Sequence, residues 1–370
     1  MVPLARRYLM LDRPRFVIAV GGVAFAVLLI VLILALYQGI YDRAGRLAAA
    51  APVELWVSQA GTSDPFHGAS ILPSDKLEDV ASVPGVATTQ PLLARTLLVG
   101  SSPNTGTSAF VIAIPAGPLQ AETSEAFGIG PTPEPGAVIL GNVVAADIGA
   151  AVGDTVFLGT APLRVERTAG LIDAAFSGVV AISERDASAI FGHPDAYSYI
   201  LVGLTEGQLP ESVAADIESR VDGTNVFTRE EFADSTRQEV EEGFLPVVAV
   251  LIVVAFIVGL ALIALTVYTM TVERVRDYGV LKAVGASSRQ LFSIVLRQSL
   301  LIALLGYLAG SLLALLAGTV LEAEIPEFAT LYRWQDLAAV FVAALVMSLL
   351  AAAVPIRRVS RVEPAMVFRA

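Results

Sequence analysis

A group of charged residues that could bind a partner lies in a short connection between two long apolar segments. Residues 273–286 read Glu-Arg-Val-Arg-Asp-Tyr-Gly-Val-Leu-Lys-Ala-Val-Gly-Ala. Val275, Tyr278 and Val284 follow a roughly helical spacing, with charged residues between them. A basic connection between two spans belongs on the cytoplasmic side of a membrane. The pattern predicts a surface helix that offers polar groups to a partner, and the alternative is a solvated loop whose cations reach the lipid headgroups.

Residue patterns that support catalysis are missing from the sequence. The only lysines are Lys76 and Lys282, and neither follows a glycine, as the phosphate-binding loop of an ATPase requires. His67 and His193 stand alone and suggest no metal site, and no Gly-x-Ser-x-Gly elbow occurs. The chain has no cysteine, so it has no thiolate or disulfide chemistry. We therefore expect no catalytic residue, no metal site and no cofactor in this chain.

The composition and the charge pattern indicate a membrane protein. The 370 residues are 55% hydrophobic and 16% charged, and the mean hydropathy is +0.70. Residues 38–244 contain 27 acidic and 10 basic residues, whereas the two chain ends and the central connection together contain 13 basic and 4 acidic residues. This sorting predicts a multi-pass protein of the inner (cytoplasmic) membrane, with both termini in the cytoplasm. The basic C-terminal tail could equally hold anionic lipid.

The hydropathy pattern predicts an α-helical membrane protein with four transmembrane helices and an α+β extracytoplasmic domain between the first and second helices. The first uncharged run could instead be a signal peptide, but it is too long, and charged residues precede the alanines that imitate a cleavage site. The predicted segments are a cytoplasmic tail (1–15), transmembrane helix 1 (16–37), a stalk (38–50), the α+β domain (51–228), a stalk helix (229–243), transmembrane helix 2 (244–272), a cytoplasmic coupling helix and loop (273–286), transmembrane helix 3 (287–321), an external loop (322–336), transmembrane helix 4 (337–356) and a cytoplasmic tail (357–370).

Local signals place elements within these segments. Strands are predicted at 53–57, 96–99, 110–114, 138–140, 179–182 and 197–204. Helices are predicted at 142–148, 183–191 and 210–221, the second with Ser183 as its N-cap. Residues Ser287 to Gln290 form a Ser-x-x-Gln capping box that opens the third transmembrane helix.

Two further hypotheses concern helix packing. Gly306 and Gly310 form a Gly-x-x-x-Gly pattern that lets helices approach closely, either between two chains or within one. In the stalk, Arg43 and Arg46 are expected to face one of the acidic residues Glu239, Glu241 and Glu242. Such exposed pairs contribute about 0–1 kcal/mol each and would set the register of the stalk rather than its stability.

The central connection resembles the loop after the second span of MacB/FtsX-like ABC transporter permeases, including DevC-like members. That family's pattern is approximately Glu-Arg-x-x-Glu-hydrophobic-Gly-x-x-Lys-Ala-hydrophobic-Gly-Ala. Here Asp277 stands in place of the usual Glu, and Tyr278 in place of the usual Ile. The resemblance extends to the Gly153-Asp154 turn and to the Pro364-Ala365 ending. It implies that an ATPase docks on the residues Glu273, Arg274, Arg276, Asp277, Tyr278, Gly279, Lys282, Ala283, Gly285 and Ala286.

The resemblance also implies the partners and the function. It implies a separate ABC ATPase subunit that binds ATP and magnesium, and a second permease chain that forms a homodimer. It leaves a periplasmic adaptor protein open, and it implies contact with membrane lipid but not with nucleic acid. The expected function is a permease subunit that extrudes an amphiphile, a lipid, a peptide or a drug. The alternative is an FtsX-like regulator that transmits motion to a cell-envelope enzyme without transport.

Overall fold

The structure is a computed structural model and describes residues 13–62, 70–172, 178–273, 280, 287–325 and 329–360. These residues fall into two compact units. We call the first the membrane unit, which holds the described residues up to 38, 244–324 and those from 329 onward. We call the second the α+β unit, which holds the described residues of 39–243.

The described helices are α1 (Arg13–Ala44), α2 (Arg46–Ala50), α3 (Lys76–Ala81), α4 (Gln120–Ala126), α5 (Asn142–Ile148), α6 (Glu184–Phe191), α7 (Pro210–Arg220), α8 (Arg229–Glu273), α9 (Ser288–Glu324) and α10 (Trp334–Ser360). The described strands are β1 (Leu55–Gln59), β2 (Leu72–Pro73), β3 (Val86–Gly100), β4 (Thr107–Ala113), β5 (Ala137–Gly141), β6 (Thr155–Leu158), β7 (Ala161–Ala169), β8 (Gly178–Ile182), β9 (Ala196–Tyr197), β10 (Tyr199–Leu204) and β11 (Thr224–Thr228).

Four helices within the described residues are long and apolar enough to cross a membrane, and they lie in α1, α8, α9 and α10. All of the described strands lie between the first and second of these helices, so the predicted fold class is confirmed. The helices extend beyond the predicted uncharged runs. The predicted stalk helix and the second span form one helix of 45 residues, α8, which contains Pro246. The fourth helix begins at Trp334, three residues before its predicted start.

Nine of the described strands of the α+β unit form one mixed sheet in the order β11-β1-β10-β3-β4-β8-β5-β7-β6. Strand β6 also pairs with the end of β3, which closes six strands into a ring. The pairs β4–β8 and β5–β7 are parallel, and the other pairs in the ring are antiparallel. Each strand of the ring contributes at least one buried apolar side chain to a common core: Val99, Val111, Val156, Val165, Val180 and Leu140.

A second core of the α+β unit is built around aromatic rings. Trp56 of β1 packs against Phe232 of α8, with 4.9 Å between ring centroids, and against Tyr199 of β10 at 5.8 Å. Phe227 of β11 lies 5.4 Å from Phe232. Trp56, Tyr199 and Phe232 are almost completely buried. Because β11 leads directly into α8, this cluster fixes the first turns of α8 onto the sheet.

Several local signals are reproduced by the structure. Ser183 is the N-cap of α6, and its Oγ accepts a hydrogen bond from the amide of Asp186. Helix α5 has the predicted bounds. The residue that follows it, Gly149, has a φ of 65°, which glycine adopts at little cost. The predicted capping box is present, since the amide of Gln290 donates to Ser287 Oγ and the amide of Ser287 donates to Gln290 Oε1.

Candidate functional site

Of the residues predicted to dock an ATPase, the structure describes Glu273. Glu273 is the last residue of α8 and is exposed. The other predicted docking residues, Arg274, Arg276, Asp277, Tyr278, Gly279, Lys282, Ala283, Gly285 and Ala286, lie outside the described residues. Their docking role therefore stays a prediction. The structure instead defines the helices on both sides of this connection.

Helix α8 leads directly into the predicted docking segment. It begins with a reciprocal capping box, in which Glu231 Oε2 accepts from the amide of Thr228 and Thr228 Oγ1 accepts from the amide of Glu231. The Thr-x-x-Glu pattern at 228–231 is a sequence signal for this helix start. At 1.5 Å per residue, the 45 residues of α8 span about 68 Å. Along the membrane unit, α8 leaves Val250, Val253 and Ile257 more than half exposed, as lipid-facing or subunit-facing residues would be.

The membrane unit is packed around α1 through glycines on the other helices. A Cβ added at Gly306 would lie 2.5 Å from Val23 Cβ, and one at Gly310 would meet the carbonyl oxygen of Ala24. The structure thus places the Gly-x-x-x-Gly pattern of α9 directly against α1 of the same chain. Gly259 of α8 has the same role, since its added Cβ would lie 2.9 Å from Ala26 Cβ. The backbones can approach this closely because these positions carry no side chain.

A short segment before α10 forms hydrogen bonds with both α1 and α9 and so connects three helices of the membrane unit. The Thr330 amide donates to Glu322 Oε1 at 2.7 Å, and the Leu331 amide donates to the Ala35 carbonyl at 3.0 Å. Two side chains of the segment bind the same two helices. Tyr332 Oη donates to the Ala314 carbonyl of α9 at 2.8 Å, and Arg333 Nη1 donates to Gln38 Oε1 of α1 at 2.9 Å. We call residues 330–333 the clasp.

The clasp lies within the predicted external loop at 322–336, which stays a prediction. Glu322 is a hydrogen-bond acceptor of the clasp, and α9 continues to Glu324. Gly318 makes room for the Tyr332 phenol, because an added Cβ at Gly318 would overlap Tyr332 Oη. Burial raises the pKa of Tyr332, the hydrogen bond with Thr330 lowers it in part, and the charge of Glu322 raises it. The net result is a raised pKa, so the neutral phenol is favoured.

The stalk hypothesis is not reproduced for Arg46. Its guanidinium pairs with Asp42, four residues earlier in the chain, and not with Glu239, Glu241 or Glu242. Small residues instead set the packing within the α+β unit. Ala44 and Val240 are buried together, and a Cβ added at Gly45 would lie 2.9 Å from the Ala233 carbonyl. Close helix contact, rather than charge pairing from Arg46, therefore fixes this register.

Among the described residues, no group of three or more His, Cys, Asp and Glu side chains is arranged to hold a metal ion.

Two protein-family models match adjoining parts of the chain. The model described as a MacB-like periplasmic core domain matches residues 16–220, more than half of the chain. The model described as the C-terminal part of FtsX-like permeases matches residues 249–364. The two matched segments together include α1 and most of the α+β unit, then the later helices of the membrane unit.

Similar proteins include permeases of mycobacteria. An uncharacterized ABC transporter permease of Mycobacterium tuberculosis is 29% identical over 85% of this chain and 84% of its own length. A second permease of that organism is 27% identical over 96% of this chain and 95% of its own length. The macrolide export ATP-binding/permease protein MacB of Shewanella oneidensis is 25% identical over 59% of this chain, but only 34% of its own length is covered.

Two solved structures are similar to part of the chain. The periplasmic region of MacB from Actinobacillus actinomycetemcomitans covers 52% of this chain with 13% identity and a TM-score of 0.35. The extracellular domain of the transporter YknZ from Gram-positive bacteria covers 47% of this chain, also with 13% identity, and has a TM-score of 0.34.

Proposed function

Because the chain belongs to the MacB/FtsX family of ABC transporter permeases, we propose that it is the membrane-spanning subunit of an ATP-driven exporter. In this proposal the chain does not hydrolyse ATP. A separate ABC ATPase subunit binds ATP and magnesium and docks on the connection that follows Glu273. The movement produced by that ATPase reaches the α+β unit through α8.

The observation that carries the proposal is the continuity of α8. Its first turns are held to the sheet by the cluster of Phe232, Trp56 and Tyr199, and its last residue is Glu273, where the predicted docking segment begins. A helix whose backbone hydrogen bonds lie within the segment can carry displacement along its axis through a bilayer. Nucleotide must bind one arrangement of the assembly better than another for this displacement to do work.

The proposal also includes the orientation of the chain in the membrane, its further partners and its cargo class. The basic connection and both basic termini face the cytoplasm of a cell whose inner membrane holds α1, α8, α9 and α10, and the acidic α+β unit faces the outside. A second copy of the chain completes the permease. A periplasmic adaptor would join the α+β unit where an outer membrane must also be crossed. The cargo class is an amphiphile, a lipid, a peptide or a drug.

The test uses the full chain reconstituted in lipid nanodiscs with its ABC ATPase. Lys282→Glu places a negative charge in the docking segment, and Gly279→Pro prevents the helix expected there. We expect both variants to weaken ATPase binding at least tenfold and to abolish the stimulation of ATP turnover by the permease. Lys76→Glu makes the same charge change at the other lysine of the chain and serves as the matched control.

Normal ATPase binding and stimulation in both docking variants would overturn the proposed coupling. A transport experiment then distinguishes the export function from the FtsX-like regulatory function. Proteoliposomes that contain the pair should move a fluorescent amphiphile in an ATP-dependent way if the chain is an exporter. Coupled ATP turnover with no movement of any amphiphile or peptide would instead support the FtsX-like regulatory function.

A further inference from the structure

The α+β unit contains a cavity where two strands separate from β3. Strand β10 pairs with β3 as far as the Tyr199–Leu92 pair, and β6 joins the same strand at Val99. Between these points lies a cavity of about 60 Å³. Its walls include Ile71, Leu93, Arg95, Phe191, His193 and Tyr197.

A serine hydroxyl holds the strands apart at the cavity. Ser198 Oγ accepts a hydrogen bond from the Ala94 amide and donates one to the Ala94 carbonyl, both at 2.9 Å. These two bonds replace the sheet pairing that β3 loses after Leu92. The amide and the carbonyl of Ala94 are therefore both satisfied where β3 leaves β10.

The cavity has an apolar floor and a polar rim that includes one guanidinium. Leu93 and Phe191 are buried, and both belong to the core inside the ring of strands. Arg95 and His193 are exposed at the rim. Arg95 Nη1 donates to the Phe191 carbonyl at 2.9 Å, where it also lies at the negative end of α6. That bond uses one of the five donors of the guanidinium and holds its plane in place.

The third polar group at the cavity stays neutral. Burial raises the pKa of the Tyr197 phenol, and the charge of Glu184 raises it further. The phenol therefore remains an O–H donor at physiological pH. Because the charge of Glu184 acts on Tyr197, it disfavours an anion placed beside that phenol.

We propose that this cavity binds a small carboxylate that carries a short apolar tail. The Arg95 guanidinium would bind the carboxylate, for which its planar donors are suited. The tail would lie against Leu93 and Phe191. A water needs about 10–15 Å³ of such space, so the cavity accepts a tail of about four to six heavy atoms. Both a short fatty acid and the C-terminal residue of a peptide meet this description. The site goes beyond the permease function and does not depend on an ATPase.

The test measures binding to the full chain in nanodiscs without any ATPase. Replacing His67 with Gln leaves His193 as the only histidine, so ¹³C-histidine labelling gives a single ring signal at the rim of the cavity. Sodium hexanoate and N-acetyl-leucine are titrated separately at constant pH, and hexylamine is the charge-reversed probe. We expect a saturable shift of the His193 signal with at least one carboxylate and none with hexylamine.

Two variants show whether the site is the one described. Arg95→Gln should weaken carboxylate binding at least tenfold, whereas Arg164→Gln, on the exposed side of β7, should not change it. Ala196→Leu fills the cavity and keeps Arg95, and it should abolish binding as well. Saturation by N-acetyl-leucine alone identifies the peptide terminus as the source, and saturation by hexanoate alone identifies the fatty acid. No saturation, equal binding of hexylamine, or unchanged affinity in both cavity variants would overturn the proposal.

Discussion

The helices of the membrane unit and the aromatic core of the α+β unit achieve close packing with opposite kinds of residues. In the membrane unit, Gly259, Gly306 and Gly310 bring helix backbones together, and each stands where a Cβ would overlap α1. In the α+β unit, large rings fill the space, and Phe232 has no exposed surface. Lipid tails are as apolar as leucine, so burial of large side chains gives little advantage between helices in a bilayer. In water, the burial of large apolar side chains is the main source of stability.

This contrast predicts opposite sensitivities. The α+β unit should lose most when a large side chain is removed. The membrane unit should lose most when a small residue is enlarged. The chain has one tryptophan in each unit, Trp56 and Trp334, and replacing Trp334, which is 74% exposed, leaves Trp56 as a reporter of the α+β core.

The largest effect is expected for Phe232→Ala. The variant removes a buried ring from contact with Trp56, Tyr199 and Phe227, and the cavity should lower the free energy of unfolding of the α+β unit by about 3–5 kcal/mol. Trp56 fluorescence during denaturant unfolding, in a Trp334→Phe background, measures this change. Leu209→Ala is the control, because that side chain is 69% exposed and its loss should stay within about 0.5 kcal/mol. Equal losses in the two variants would contradict the contrast.

An intermediate effect is expected for Gly310→Ala in the membrane unit. The added Cβ would lie 2.8 Å from Val27 Cβ and would meet the Ala24 carbonyl, so α1 and α9 must separate, at a cost of about 1–3 kcal/mol. The loss of helical circular dichroism in an SDS titration measures this loss of stability. Gly21→Ala is matched, since no heavy atom lies within 4 Å of its added Cβ. A stable Gly310→Ala variant would show that α1 and α9 need no close approach.

The smallest effect is expected for Tyr332→Phe in the clasp. The variant loses the bond to the Ala314 carbonyl, and hydrogen bonds between membrane helices average about 0.6 kcal/mol. The pKa of Tyr332 is raised from its ordinary value of 10.0, so its contribution to stability is complete below about pH 10 and is lost as the pH rises through the raised value. The wild-type SDS midpoint should therefore fall above pH 10, and that of Tyr332→Phe should fall less. The same decline in both chains would exclude the phenol as its origin.

Signals that lie within one element could be predicted from the sequence. Uncharged runs predicted the four membrane helices, Ser183 predicted the start of α6, and Ser287 with Gln290 predicted the start of α9. Each of these depends on contacts within a few residues along the chain. The clasp could not be predicted in this way, because Leu331 and Arg333 bind α1, which lies about 300 residues earlier in the sequence.

The length of β3 was also missed. The prediction covered 96–99, whereas the strand begins at Val86 and includes Pro91. A proline usually indicates the end of a strand because it lacks an amide donor. Here β4 pairs with β3 only from Leu93 onward, and Leu92 and Ala94 are the residues whose backbone groups face Ser198. Backbone groups alternate between the two edges of a strand, so those of Pro91 face the β4 edge, where pairing has not yet begun. No amide donor is required there. This depends on strand pairing and not on the local sequence.

Strand β3 also determines how the α+β unit unfolds. Its first half pairs with β10, which continues the sheet to β1 and β11, and its second half belongs to the closed ring. Since one uninterrupted strand is a member of both parts, neither part can lose β3 without breaking the hydrogen bonds of the other. The unit should therefore melt in a single cooperative transition, in which both parts of the sheet lose their order together.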